Sequence, residues 1–193
     1  MYTQKIQKIE EELRLLYCEG NVNKDRKELL KGFWEHHIMP VVSLSKEMAK
    51  KYGANAELSW MGALFHDFAL IDGSEPHDEL GAILTQKFLS ERGFDEDFCQ
   101  KVSNIVLTHR CKKFMPQTLE EKIVATADAM AHFLPNFYLG IAMVAKEDYA
   151  GIFNAGVAKL ERDYEEKIFF ADEKKLLHER MADFRKWFEY ESK

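Results

Sequence analysis

Four places in the chain put a group that can bind a cation or move a proton where an apolar residue belongs. His66 and Asp67 stand together inside Met61-Gly-Ala-Leu-Phe-His-Asp-Phe-Ala-Leu70, an otherwise apolar helical run. Asp128 is the lone carboxylate of Ile123-Val-Ala-Thr-Ala-Asp-Ala-Met-Ala131. His109 ends a helix that carries Val102, Ile105, Val106 and Leu107, and His37 heads one with Val41, Leu44, Met48 and Tyr52 on a single stripe. A buried carboxylate or imidazole without a partner is costly. The helix dipole gives Asp128 no help, because its cap, Thr118, lies 10 residues earlier and the dipole acts only within the first turn. One arrangement satisfies all four places: side chains from different helices converge on a divalent cation that replaces their lost hydration. Nitrogen and oxygen donors without thiolate suit Mn, Fe, Mg, Ni, Co or Zn in a catalytic rather than a closed structural site. Four protein ligands leave open positions on an octahedral ion for water and a phosphate oxygen.

The ordered set His37…His66-Asp67…Asp128 resembles the H…HD…D signature of the HD superfamily of metal-dependent phosphohydrolases. His37-Ile-Met-Pro-Val41, with Met48-Ala49 further on, is similar to the helix of the first ligand, and Leu64-Phe65-His66-Asp67 to the hydrophobic-HD helix. His77-Asp-Glu-Leu-Gly81-Ala82 resembles a His…Gly-Ala segment of many members, and Glu121 to Ala129 resembles the helix of the last Asp. The resemblance covers roughly residues 30–135. It implies an all-α, compact multi-helix HD-domain bundle in which His37, His66, Asp67 and Asp128 bind the metal. In members with two further histidines, the residues matching His77 and His109 hold a second ion or the substrate phosphate, with Asp67 bridging. The pattern H…HD…H…H…D is complete here, so one or two divalent ions per chain are implied, as in HD-type diadenosine tetraphosphate hydrolases and cyclic-dinucleotide phosphodiesterases. The Gly-Tyr-Pro segment of the latter is absent, and the residue before His109 is Thr108 where they carry paired histidines. Where many members carry Gly and Lys after the HD pair, this chain reads Asp67-Phe68-Ala69-Leu70.

The implied reaction is hydrolysis of a phosphate ester or anhydride of a small phosphorylated metabolite, a nucleotide. The activity would be that of a phosphomonoesterase, a phosphodiesterase or a nucleotide pyrophosphohydrolase. His66 and Asp67 would be catalytic, with Asp67 taking the proton of a metal-activated water. The alternative is a non-catalytic HD-fold module that binds a nucleotide or a protein around a structural metal.

Arg110, Lys112 and Lys113 follow His109 as a positive strip, and guanidinium groups grip two phosphate oxygens at once. Arg110, Lys113 and His132 are the candidate substrate contacts; His132 shares a helix face with Asp128, four residues earlier. His36 lies about 100° around the helix from His37, and the register of Val41 and Ala49 turns His37 toward the metal. Asp72, Glu75 and Asp78 could orient water or protonate a leaving group, or simply solvate a loop.

These side chains need helices to carry them. Ile6, Ile9, Leu13 and Leu16 recur at helical spacing up to Gly20-Asn21-Val22-Asn23. A second helix is predicted from about Asp25 to His36, and a third follows Pro40 and closes at Gly53. Asn55 caps a fourth. Asp72 to Pro76 is a loop, followed by helices over about 78–91 and 96–108. Thr118 and Glu121 form a capping box for a helix predicted to reach the residue before Pro135. Helices over about 137–165 and 172–190 complete a single HD-type domain of residues 1–193. Phe169, Phe170, Phe184, Trp187, Phe188 and Tyr190 suit a helical hairpin packed on the core, or a homodimer face.

Apolar residues make up 46% and charged residues 31%, enough for a sizeable core. Lys and Arg number 27 against 33 Asp and Glu, a net charge of −6, which argues against general nucleic-acid or anionic-membrane binding. The three cysteines lack any CxxC pairing, which excludes a disulfide framework and a thiolate zinc site. The charged N-terminus is no export signal, and the most apolar stretch, Phe133 to Ala145, falls short of the roughly 20 residues of a membrane span. A cytoplasmic location is expected.

Overall fold

The computed structural model describes residues 1–20, 24–135, 137 and 149–190, and all regular structure among them is helical. Helix α1 (Thr3–Glu19) buries Ile6, Ile9, Leu13 and Tyr17. The fourth member of the stripe is Tyr17 and not Leu16, which is exposed, because the four-residue step from Leu13 stays on the buried face.

The largest departure from the predicted elements lies between the second and third helices. Helix α2 (Lys24–Phe33) runs unbroken through a π-helical turn (Trp34–Ile38) into α3 (Met39–Tyr52). The Met39 N–H bonds to the carbonyl of Trp34, five residues back. Pro40 has no N–H, and in a straight α-helix its ring would crowd the carbonyl of His36. The wider turn relieves that clash without ending the helix. It carries His37 inward, with both His37 and Ile38 buried, and leaves His36 exposed as expected. Helix α3 closes at Gly53, whose left-handed φ of 72° lets its N–H bond to Ala49.

Helix α4 (Ala56–Phe65) is the centre of the fold. The Asn55 side chain accepts from the N–H groups of Glu57 and Leu58, and every residue from Leu58 to Phe65 is buried. It packs against α3, α6 and α7. A Cβ on Gly62 would stand 2.5 Å from Ile105, so glycine permits the close approach of α4 to α6. A 3₁₀ turn (Phe68–Ile71) leads to α5 (His77–Glu91), which packs along α6 (Glu96–Thr108). Helix α7 (Leu119–Ala131) starts at the predicted box: the Glu121 N–H bonds to Thr118 Oγ1, and the Glu121 carboxylate accepts from Gln117 N–H. It stops short of the predicted end, with the His132 N–H bonded to the carbonyls of Asp128 and Ala129.

The predicted helix over 137–165 is described from Tyr149: α8 (Tyr149–Arg162) passes into a second π-helical turn (Asp163–Lys167) before α9 (Ala171–Tyr190). Most of Phe133 to Ala145 lies outside the described residues. Phe170 and Phe184 pack on the core as expected, whereas the side chains of Trp187, Phe188 and Tyr190 are not among those described. No helix among the described residues is long and apolar enough to cross a membrane.

Candidate metal centre

Element ends deliver the candidate ligands. His37 lies in the first π turn, His66 caps the C-terminus of α4, and Asp67 follows where the chain bends into the 3₁₀ turn. His77 opens α5, His109 caps the C-terminus of α6, and Asp128 is in the last turn of α7. Helix ends allow neighbouring side chains to diverge, as His66 and Asp67 do. The six side chains form two groups, His37 with His66 and Asp128, and Asp67 with His77 and His109; within each group the donor atoms lie within 4.8 Å of one another.

Asp67 joins the two groups. Its Oδ2 is 3.3 Å from both His37 Nε2 and His66 Nε2, while its Oδ1 is 3.2 Å from His77 Nε2 and 3.5 Å from His109 Nε2. Asp128 Oδ1 is 3.4 Å from His37 Nε2 and 3.8 Å from His66 Nε2.

The hydrogen bonds on the far sides of the rings say what the near sides offer. His66 Nδ1 donates to the Ala63 carbonyl at 2.8 Å, and His109 Nδ1 to that of Val106 at 2.6 Å. A carbonyl only accepts, so in the neutral rings each Nε2 turns a bare lone pair inward. His77 Nδ1 is held the same way, 3.0 Å from Glu75 Oε1. His37 is positioned by its rings instead, stacked on His132 at 5.1 Å and flanked by Phe33; its buried Nδ1 has no partner among the described residues. Lone pairs facing carboxylate oxygens repel unless positive charge sits between them. Protons can supply it, and so can a cation; the donor set fits divalent metal ions.

Without an ion the charge balance is carried by protons. Burial disfavours charge on His66, but Asp67 and Asp128 outweigh it and raise its pKa to about 9. Burial, with the nearby His66, holds His109 down against the pull of Asp67 and Asp128. Asp67 lies well below the usual carboxylate range in spite of burial, through His66, His109 and His37, and Asp128 does so chiefly through Lys167. A metal ion must therefore displace the His66 proton at neutral pH. The expected outcome is that Mn²⁺ affinity, measured by calorimetry, rises about tenfold per pH unit between pH 6 and 8 and levels off near the His66 pKa. Calorimetry in buffers of different ionisation enthalpy should show about one proton released per ion bound in this range. A flat affinity profile would contradict the assignment.

Behind Asp128 stands a group that the sequence reading does not find. Lys167, 3% exposed, reaches in from the second π turn and donates to Asp128 Oδ2. Its own carbonyl accepts from Thr126 Oγ1 at 3.1 Å, which fixes the turn to α7. His132 has its Nε2 3.3 Å from Asp128 Oδ1 and its Nδ1 2.8 Å from the buried Asp163, and burial lowers its pKa to about 4. His132 is thus a neutral ring packed between Asp163 and the candidate ligand Asp128.

A cavity of about 330 Å³ opens onto these groups. His37, Asp67, His77, His109, Asp128 and His132 line it together with the cationic side chains of Arg110, Lys112, Lys159, Arg162 and Lys167. Of the expected substrate contacts, Arg110 and His132 meet at this cavity. Lys113 does not: it pairs with Glu79 at 3.0 Å on the surface, and Lys112 faces the cavity instead. Among the loop acids, Glu75 holds His77 and, with Asp78, holds Arg110 at 3.2 Å, while Asp72 is exposed.

The family model of the HD domain matches residues 34–132, the stretch from the first π turn to the end of α7. Among solved structures, the chain is similar to an HD-superfamily hydrolase from Bacillus thuringiensis, with 22% identity and a TM-score of 0.67 over 99% of this chain and 98% of that one. It is also similar to a predicted HD-superfamily hydrolase from an uncultured Thermotogales bacterium, with 21% identity and a TM-score of 0.57 over 100% and 94% of the two chains. At these identities the likeness is one of fold. No curated protein matches the sequence.

Proposed function

This chain belongs to the HD-domain family, and from that premise we propose that it is a metal-dependent phosphohydrolase. Its substrate is a small phosphorylated metabolite, a nucleotide, in which a phosphate ester or anhydride is cleaved by water. The observation that carries this reading is the division of labour within Asp67, whose two oxygens face different histidine pairs. A structural ion would need only one such group, and would not need it at the floor of an open cavity.

His37, His66, Asp67 and Asp128 would hold one divalent ion, and Asp67, His77 and His109 a second; such ions acidify water and neutralise charge on phosphoryl oxygens. The protein does the rest by position. The carbonyls of Ala63 and Val106 lock His66 and His109 in the tautomer that offers Nε2, so no ligand rotates during turnover. Asp67 stays ionised across the neutral range and can orient the attacking water and take its proton. Lys167 occupies Asp128 Oδ2 and leaves Oδ1 as the inward donor.

Elemental analysis of the purified chain, followed by a nucleotide panel with Mn²⁺, Co²⁺ or Mg²⁺, tests the reading. Metal should be found, approaching two ions per chain, and at least one phosphate ester or anhydride should turn over only when metal is present. A metal-loaded chain that is inert toward every ester and anhydride, yet binds a nucleotide, would favour a binding module instead.

A further inference from the structure

The cations that line the cavity exceed what one phosphate at the metal centre would need. Lys112, exposed at the rim, has no carboxylate within ion-pair distance among the described residues. Arg110, Lys112 and Arg162 line the same cavity, and partial burial with the charges of Arg110 and Arg162 holds the Lys112 ammonium pKa below the usual value. Arg162, the last residue of α8, has a buried Nε without a hydrogen-bond partner, although one terminal nitrogen reaches Asp163 at 3.3 Å. Arg110 keeps its Nη1 on Glu75 and Asp78. These cations come from different elements, the segment after α6 and the end of α8, in a chain whose net charge is −6. Like charges gathered at the rim of an acidic protein's cavity repel one another and are relieved by an anion.

We propose that Arg110, Lys112 and Arg162 form a second phosphate site, and that the substrate therefore carries a diphosphate or triphosphate chain cleaved at a P–O–P anhydride. The proposal rests on the phosphohydrolase reading for the cleavage step, but not for the binding site. One phosphate lies at the metal centre and the next on the three cations. The oxygen of water bonds to the phosphorus at the metal centre, and the bond from that phosphorus to the bridging oxygen breaks. The bond pair leaves on the bridging oxygen as part of the second phosphate, whose charge the cations neutralise. One water proton remains on the new P–OH and the other passes by way of Asp67 to solvent, so one water is consumed and two phosphate ends result. A monoester at the metal centre would leave Lys112, which has no carboxylate partner among the described residues, without an anion.

The test has a binding arm and a turnover arm. Calorimetry with inorganic tripolyphosphate and with orthophosphate is run on metal-stripped and Mn²⁺-loaded protein. Tripolyphosphate should bind at least about tenfold tighter than orthophosphate in both forms, and Lys112→Ala and Arg162→Ala should each remove about tenfold of that preference. Lys87→Ala, on the solvent face of α5, should change nothing. In turnover, KM for a nucleoside triphosphate should rise about tenfold in the same two variants, while a nucleoside monophosphate remains a poor substrate throughout. Equal affinity for the two anions, or monoester turnover matching triphosphate turnover with both variants silent, would overturn the second site. Tight tripolyphosphate binding without any turnover would support it and count against the phosphohydrolase reading alone.

Discussion

Replacing Asp67 with alanine is expected to abolish phosphate release, with a loss of about 10⁴-fold or more, and to strip the chain of metal. Among the described residues, no other carboxylate lies within ion-pair distance of histidines of both groups. Its Oδ2 faces His37 and His66 and its Oδ1 faces His77 and His109, so one truncation would deprive both groups of their shared anionic donor. His77→Ala is the instructive contrast. It removes a donor only from the group with His109, so elemental analysis should find close to one ion fewer per chain, while the ion at His37, His66 and Asp128 is retained. The fold of Asp67→Ala should survive, because Asp67 lies beyond the C-terminus of α4 and the helix is held by its buried apolar residues. Unchanged far-ultraviolet dichroism together with lost metal is the expected pair of observations. An Asp67→Ala protein that keeps both its ions and its rate would refute the shared-ligand geometry.

What the sequence made legible follows from how each residue sits in its local pattern. His66, Asp67, His109 and Asp128 stand out because each interrupts an apolar helical stripe, and a buried polar group demands a partner. His77 opens a helix after a loop, where a polar residue is ordinary, so only the resemblance to a family pointed to it. Lys167, Asp163 and Arg162 were invisible for the opposite reason. They lie in Arg162-Asp-Tyr-Glu-Glu-Lys167, which reads as a solvated charged face, and nothing in its periodicity announces that a π turn folds it onto α7. The other π turn was missed for a different reason. Pro40 signalled a break, whereas a widened turn keeps the helix continuous and carries His37 inward. The exchange of Lys113 for Lys112 has a conformational origin. Cys111 adopts a φ of 51°, so the chain reverses just after Arg110 and delivers the first lysine to the cavity and the second to Glu79 on the surface.

Lys167→Met is expected to destabilise the metal-stripped protein by about 3–5 kcal/mol, because removing one partner of a buried ion pair leaves the other charge uncompensated. For a chain of this length that corresponds to a fall in Tm of roughly 6–20 °C in the presence of a chelator. The methylene stem is conserved in size, so little of the loss comes from packing, and Asp128 Oδ2 is left without its donor. The dependence on pH has a definite form. The Lys167 pKa is raised above that of a free lysine, with Asp128 and Asp163 outweighing burial, and the Asp128 pKa lies well below its free value. A raised lysine contributes stability that is lost only as pH climbs beyond about 10.5, and a lowered carboxylate contributes stability that is lost only as pH falls below about 4. The gap between wild type and Lys167→Met should therefore stay level from about pH 5 to 9. Metal binding should move the other way: with the neighbouring ammonium gone, Asp128 is a stronger anionic donor, so Mn²⁺ binds the variant more tightly and recovers part of the lost Tm. A role confined to packing would lower Tm equally with and without Mn²⁺ and leave affinity unchanged. A double-mutant cycle with Asp128→Asn should return a coupling of at least about 1 kcal/mol in chelator, and a value near zero would mean that Lys167 acts on the fold independently of the ligand it touches.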